Sequence, residues 1–122
     1  MTTLRLPFPP TVNNLFINKG KARIRSPRYD AWRAEAGAML IEQSPRRVFG
    51  AFELSIHCER PDRRARDVAN LIKAVEDLLV HHQVIEDDSL AQSVSIAWLN
   101  TMAKPAHVYV YLTALTAQAR AA

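Results

Sequence analysis

Residues 51–82, AFELSIHCERPDRRARDVANLIKAVEDLLVHH, decide the fold of this chain. Residues 51–59 place an apolar side chain at every second position, which predicts a strand with one buried face. A basic connection, residues 60–66, leads from this strand to a segment with apolar residues at helical spacing, which predicts a helix over roughly residues 68–82. The apolar face of this helix comprises Leu71, Val75, Leu78 and Leu79.

The segment before this stretch predicts a strand, a loop and a helix. Residues 3–8 alternate weakly, and the prolines at 9 and 10 end this short strand because proline donates no ladder hydrogen bond. The polar and basic residues 11–25 predict a loop. The pair Ser26-Pro27 predicts a helix start, since a capping hydroxyl and a first-turn proline favour one, and the helix should end before Pro45.

The segment after it predicts two strands, residues 92–99 and 106–114, joined by a turn from Asn100 to Pro105. The Ala-rich tail from Ala114 is expected to fray or to add a short helical end. The order is then strand, helix, strand, helix, strand, strand. It predicts one α/β (α+β) domain over residues 1–122, with a mixed sheet of about four strands and two helices packed against it.

The chain is mildly basic, with 16 Lys and Arg against 12 Asp and Glu and a formal net charge of +4. Much of the excess falls in two groups, one from Lys19 to Arg28 and one from Arg60 to Arg66. Clustered cations favour a polyanionic partner such as nucleic acid, because each phosphate contact releases condensed counterions. Two solvated loops are the alternative interpretation.

Redox and targeting features indicate a reducing compartment. The lone cysteine, Cys58, excludes an intramolecular disulfide and is expected to be inert core. No apolar run reaches the length of a signal peptide or a membrane span. We therefore expect a cytoplasmic protein without membrane contact.

Two acidic positions have both a structural and a chemical interpretation. Asp67 is a good N-cap for the second predicted helix, and residues 86–89 fit a polar turn. If Asp67 and Asp88 converge, they would instead hold magnesium beside the basic connection, because magnesium takes oxygen ligands. Asn70, Lys73 and Asp77 share one side of the predicted helix, and Lys73 would there stabilise charge that develops on a phosphate. Spacing alone leaves both interpretations open.

Other chemistries find little support in the sequence. No His-x-x-x-His or Cys-x-x-Cys pair, nucleophile elbow or glycine-rich phosphate loop is present. The pair His81-His82 suits the end of a helix. Trp32 is predicted to be core, whereas Tyr109 and Tyr111 should lie on the second face of the sheet, which they cover or offer to a partner subunit.

Three segments resemble the RusA family of Holliday junction resolvases. Residues 6–14, LPFPPTVNN, contain the Pro-Pro-x-x-Asn opening of that family. Residues 61–74, PDRRARDVANLIKA, are similar to its Pro-Asp-x-Arg-x-Arg-Asp-x-Asp-Asn-x-x-Lys-Ala signature, and residues 84–88, VIEDD, to its second acidic motif. The order and spacing of the segments match, and the resemblance covers almost the whole chain.

The resemblance implies a homodimeric, magnesium-dependent endonuclease, with manganese as an alternative metal. Such enzymes bind four-way DNA junctions and resolve them by paired nicks in recombination and repair, and bacteria or phages encode them. The motif match implies catalytic roles for Asp67, Asn70, Lys73 and Asp88, and metal ligation by Asp67, Asp87 and Asp88. The residues expected to contact DNA are Asn14, Lys19, Lys21, Arg63, Arg64 and Arg66.

Ala69 departs from the family signature, which has a second aspartate at this position. In an extended chain, residues two apart face the same side, so that aspartate and Asp67 would serve one metal site. We therefore expect junction binding with little or no cleavage. A non-catalytic DNA-binding module on the same fold is a second interpretation. An interaction protein whose basic loops only confer solubility is a third, and salt dependence separates it from a DNA binder.

Overall fold

The computed structural model describes residues 1–115, and the tail predicted to fray or to form a helical end lies almost entirely outside them. The strands are β1 Thr2–Pro7, β2 Phe16–Lys19, β3 Ala22–Arg25, β4 Phe52–Arg60, β5 Ala91–Met102 and β6 His107–Ala114. The α-helices are α1 Pro27–Gln43 and α2 Ile72–His81. Three short 3-10 turns cover Val12–Asn14, Val68–Leu71 and Asp88–Leu90.

A four-stranded mixed sheet has the order β1-β6-β4-β5. The β1–β6 and β6–β4 pairs are antiparallel, and the β4–β5 pair is parallel. A parallel neighbour requires a crossover connection, which α2 provides between β4 and β5. The mixed α+β sheet expected from the sequence is therefore confirmed.

The prediction of a loop over residues 11–25 was wrong, because β2 and β3 form a separate antiparallel hairpin. Ile17 lies directly opposite Ile24, and Gly20 takes a positive φ of 62° in the two-residue turn. Charged residues between the isoleucines conceal this alternation in the sequence. The hairpin is held to α1 by an edge-to-face contact between Phe16 and Tyr29, whose ring centroids are 5.9 Å apart.

The core lies between the sheet and the two helices. The alternation predicted for β4 is confirmed: Phe52, Leu54, Ile56 and Cys58 are buried. Burial raises the pKa of the Cys58 thiol to about 12, so this side chain is core and not a nucleophile. Trp32 is also buried, as expected, and its indole nitrogen donates to the carbonyl oxygen of Pro7 at 3.0 Å. The opposite face of β4 carries Glu53, Ser55, His57 and Glu59.

Helix α1 begins and ends as the sequence indicates. The Ser26 hydroxyl accepts a hydrogen bond from the Tyr29 backbone N–H and donates to the carbonyl oxygen of Asn14 at 2.7 Å. At the other end, Ser44 takes a left-handed φ of 49° and ends the helix just before Pro45. The Ser26 side chain therefore caps α1 and also fixes the chain that enters the hairpin.

Within residues 1–115, neither helix has the length and apolar character needed to cross a membrane.

The substitution Ser26→Ala should lower the free energy of unfolding by about 1–2 kcal/mol, because it removes the cap of α1 and the hydrogen bond to Asn14. Urea unfolding followed by circular dichroism measures this. Ser44→Ala is the control, since its exposed hydroxyl makes only a 3.3 Å bond to Ile41. Equal losses for the two variants would contradict a special role for the Ser26 cap.

Candidate metal and nucleic-acid site

Three motif segments that are distant in sequence meet around α2. The 3-10 turn Val12–Asn14 contacts both α2 and the turn Val68–Leu71. The turn Asp88–Leu90 also contacts α2. The fold therefore brings the Pro-Pro-x-x-Asn segment, the basic signature and the second acidic segment into one region.

Asp67 caps the helical segment that leads into α2. Its side chain accepts a hydrogen bond from the Ala69 backbone N–H at 3.1 Å, so the structural interpretation of Asp67 is confirmed. The segment starts as the 3-10 turn Val68–Leu71 and becomes α-helical at Ile72. The expectation of an extended chain from Asp67 to Ala69 was therefore wrong, because the turn begins directly after Asp67. One carboxylate oxygen of the exposed Asp67 is engaged in this cap, which leaves lone pairs on the carboxylate for a further ligand.

Lys73 lies one turn further along and pairs with Asp77, with Nζ and Oδ1 3.1 Å apart. The hydrogen bond to Asp77 raises the pKa of Lys73 above its usual value, and the charges of Asp88 and Glu76 add to this effect. Lys73 is therefore a stable cation at neutral pH. Asp88 lies close enough to act on it electrostatically, as its predicted role beside Lys73 requires.

Glu76 is an acidic residue that the sequence analysis missed. Its side chain is half-buried, and burial raises the pKa of its carboxyl, with a further rise from the charge of Asp88. Two neighbouring carboxylates repel each other, so a cation placed between them is favoured. The signal was available in the sequence, since Glu76 lies three residues after Lys73 on the helix and so on a neighbouring part of its surface.

The adjacent acids Asp87 and Asp88 have different surroundings. The Asp87 carboxylate accepts from both the backbone N–H and the hydroxyl of Ser89, and the first of these distances is 3.0 Å. Both hydrogen bonds lower the pKa of Asp87, and the bond from the Ser89 hydroxyl has the larger effect. They make Asp87 the cap of the turn Asp88–Leu90. Asp88 instead acts electrostatically on Lys73 and Glu76.

An open cleft lies between α1, the base of the hairpin and the acidic turn. Its lining includes Asp77 and Asp88 on one side and Arg25 and Arg33 on the other. The Arg33 guanidinium also lies 5.5 Å from the centroid of the Tyr29 ring. Arg33 was not predicted, and Arg25 was expected only as a member of the basic group from Lys19 to Arg28, because the packing of the hairpin and α1 brings both to the acids. The cleft thus offers carboxylates and cations to the same ligand.

The basic connection is an ordered loop built around Asp62. The Asp62 carboxylate accepts two bonds from Arg66, the shorter at 2.6 Å, and two from Arg64, at 3.0 and 3.2 Å. The hydrogen bond from Arg66 is the main cause that holds the pKa of Asp62 far below its usual range. Arg66 is half-buried, and the Asp62 carboxylate compensates its charge. Arg63 is exposed and has no ion pair within residues 1–115.

A layer of arginine and aromatic side chains supports this loop. Phe8 and Trp98 stack with centroids 6.1 Å apart and 11° between their planes. Arg60 lies over Trp98 at 4.8 Å, and Arg66 lies over Phe8 at 6.0 Å. This layer connects the segment before the hairpin, the basic loop and β5, and it was not predicted from the sequence.

The acids around α2 offer oxygen donors, the ligand type that magnesium prefers. Within residues 1–115, no three His, Cys, Asp or Glu side chains lie together in a group that would hold a metal alone. Magnesium is usually bound by one or two carboxylates, with water and substrate phosphates supplying the other ligands. Asp88 beside Glu76, with Asp67 near the basic loop, suits that arrangement in donor chemistry. The ligand roles of Asp67, Asp87 and Asp88 stay predictions.

The substitution Asp62→Asn should speed amide hydrogen exchange over residues 62–67 severalfold, because a neutral amide holds Arg64 and Arg66 less strongly than a carboxylate does. Mass-spectrometric hydrogen exchange measures this. Asp30→Asn is the matched control, since it weakens the exposed pair with Arg25 and leaves the loop intact. Unchanged exchange in the loop would mean that Asp62 does not order it.

The comparisons with known proteins agree with this arrangement. The chain is 28% identical over 93 residues to the crossover junction endodeoxyribonuclease rusA of Enterobacteria phage HK97, an alignment that covers 75% of this chain and 77% of that protein. A family model described as Endodeoxyribonuclease RusA matches residues 7–113, and this span contains all the segments that meet around α2. The chain belongs to the RusA family of endodeoxyribonucleases.

Proposed function

We propose that this protein is a structure-specific endonuclease that acts as a homodimer on four-way DNA junctions. It binds them and resolves them by paired, metal-dependent nicks during recombination and repair in the bacterial cytoplasm, whether a bacterium or a phage encodes it. Two findings support this: membership of the RusA family, and the name of the phage relative, which denotes a crossover junction enzyme. The observation that carries it is the placement of Asp67, Lys73 and Asp88 around α2, next to an ordered basic loop.

Cations on two separate elements support DNA binding. Lys19 and Lys21 are exposed at the turn of the hairpin, and Arg63 and Arg64 are exposed on the loop. Exposed cations suit phosphate contacts, which supply sequence-independent affinity. Asn14 is already bound to Thr11 at 3.0 Å, so we propose that it positions the segment between these two surfaces and meets DNA at its exposed side.

Charge separation within the site supports phosphodiester hydrolysis. A magnesium ion held by Asp67 and Asp88 would polarise the scissile phosphate and lower the pKa of an attacking water. Lys73, kept protonated by Asp77, stabilises negative charge on the phosphate as the bond breaks. Asn70 lies between Asp67 and Lys73 in the same helical segment, and its backbone N–H donates to the Asp67 carbonyl oxygen at 3.1 Å. We propose that Asn70 supports the site from this position between the two functional groups.

We favour the form of this proposal in which the protein is a weakened nuclease, because of Ala69. Its backbone N–H is used by the Asp67 cap, and its exposed methyl group offers no oxygen to a metal. Loss of one of a few carboxylates weakens metal binding, whereas the loss of a negative charge near the phosphate favours DNA binding. A non-catalytic junction-binding module is the second candidate, and Ala69 is the observation that favours it.

The substitution Ala69→Asp should restore or increase magnesium-dependent cleavage of a labelled mobile four-way junction, because it adds a carboxylate two residues from Asp67. Strand cleavage and junction binding are measured in parallel, with and without magnesium. Ala65→Asp is the control, since it adds the same charge to an exposed position of the same loop. Cleavage by the Ala69→Asp variant alone supports a weakened resolvase.

Other outcomes of this assay revise or overturn the proposal. Equal cleavage by the original chain and the Ala69→Asp variant would show that Asp67 and Asp88 suffice and that Ala69 causes no impairment. Binding without cleavage by any variant would favour the non-catalytic module. No preference for the junction over duplex DNA would overturn the proposed substrate.

The substitution Arg63→Ala should weaken DNA binding and reduce the slope of log K against log salt by about 1, because one phosphate contact is lost. Titrations at several salt concentrations measure this. Arg46→Ala is the control, since Arg46 lies beside Thr2 at the opposite end of β1 from the basic loop. An unchanged slope for Arg63→Ala would show that this arginine makes no phosphate contact.

A further inference from the structure

The two edges of the four-stranded sheet differ in how they are protected. At one edge, β1 is only six residues long, contains Arg5 and ends at Pro7. The Gln43 side chain accepts from the Arg5 backbone N–H at 2.8 Å and donates to the Arg5 carbonyl oxygen at 2.7 Å. These bonds occupy the outward-facing backbone groups of Arg5 at the centre of the strand, which blocks the β1 edge against pairing with another strand.

At the other edge, β5 has none of these protections. It is 12 residues long, reads AQSVSIAWLNTM, and contains neither a charged residue nor a proline. Within residues 1–115, β4 is its only strand neighbour. The register to β4 is regular from Ser93 to Trp98, with irregularities only outside that stretch. A long, regular, uncharged edge strand is a template for pairing with a further strand.

The two faces of β5 differ in polarity. Val94, Ile96 and Trp98 lie opposite buried residues of β4 and share the helix-covered face. They are incompletely covered, and Val94 is 38% exposed. Ser93, Ser95 and Ala97 are exposed and point to the opposite face. An added strand would cover the apolar stripe and place small polar residues beside the serines.

We propose that β5 pairs antiparallel with β5 of a second copy of this chain, about a two-fold axis near Ile96. The homodimer belongs to the proposed function, on which this inference rests; the pairing surface is the new element. With Ile96 opposite Ile96 of the second copy, Val94 lies opposite its Trp98 and Ser95 opposite its Ala97. Apolar residues then meet apolar ones on one face and small residues meet on the other, as a self-complementary two-fold contact requires.

A second copy suits this edge better than DNA does. The strand has no cation of its own to meet phosphate, and the cations of the neighbouring loop adjoin its Trp98 end, where Arg66 is already paired with Asp62. An antiparallel pair with matched faces also places the helices of both copies on the same side of one continuous eight-stranded sheet. Both sites around α2 then face one way, which is the arrangement that two symmetric nicks in one junction require.

The substitution Val94→Lys tests this by placing cations on both sides of the two-fold axis. Sedimentation equilibrium of the full chain, without DNA or metal, should show a dimer for the original protein. We expect a dimer dissociation constant at least tenfold higher for Val94→Lys, with an unchanged circular dichroism spectrum. Ile41→Lys is the matched control, because it replaces a 65% exposed apolar residue on α1 and should leave the dimer intact.

A second variant decides the question if Val94→Lys fails to fold. Facing residues in an antiparallel pair have Cα atoms ~4.5–5.5 Å apart, within disulfide range. Ile96→Cys should therefore form a covalent dimer under mild oxidation, whereas Thr3→Cys on the closed β1 edge should not; the buried Cys58 stays unreactive in both. A monomeric original protein, or a dimer that Val94→Lys leaves intact and Ile96→Cys fails to cross-link, overturns the inference. Because neither measurement uses DNA, the junction assay tests the proposed function separately.

Discussion

The parallel pairing of β4 with β5 is the constraint on which the rest of the structure depends. A parallel neighbour forces the chain to leave the end of β4, cross the sheet and return, and α2 is the element that makes this crossing. Burial of β4 between β5 and β6 leaves its core-facing side chains fully buried. The basic loop, the Asp67 cap and the acidic turn are all parts of this single connection. The packing that stabilises the fold is therefore the packing that assembles the site.

Rigid and free cations have separate roles in the loop between β4 and α2. Arg66 is committed to Asp62 and to the face of Phe8, and Trp98 continues that layer onto β5. A partly covered bidentate pair of this kind orders the backbone but leaves little charge for an external phosphate. Arg63 and the largely exposed side chain of Arg64, which bonds to Asp62 through its Nε, project from this fixed loop. A fixed loop lowers the conformational entropy lost when DNA binds.

The acidic residues likewise fall into two groups with different roles. Asp67 and Asp87 each cap a short helical turn through their own backbone neighbours, whereas the charge of Asp88 acts on Glu76 and Lys73. A carboxylate that caps a helix stays ionised and keeps free lone pairs, so it can still contribute to metal binding. Ala69, which lacks a carboxylate, is the residue whose backbone N–H donates to the capping side chain of Asp67.

The sequence alone determined the features that act over one or two turns of chain. The alternation in β4, the Ser26-Pro27 start of α1 and the Asp67 cap all depend on neighbouring residues, and the structure has each of them. The family signature is likewise local in sequence. Its extent sufficed to predict the fold class and the family.

Only the tertiary structure decided which residues meet across the chain. The pairing of Ile17 with Ile24, the approach of Glu76 to Asp88 and the closure of the β1 edge by Gln43 join segments whose relation depends on packing. Likewise, Asp87 and Asp88 are adjacent in sequence, but Ser89 donates to Asp87, whereas Asp88 acts electrostatically on Lys73 and Glu76. The local spacing of apolar residues and the capping residues determine the helices and strands. Burial between segments distant in sequence determines which of them are in contact, and a single sequence carries no direct record of these contacts.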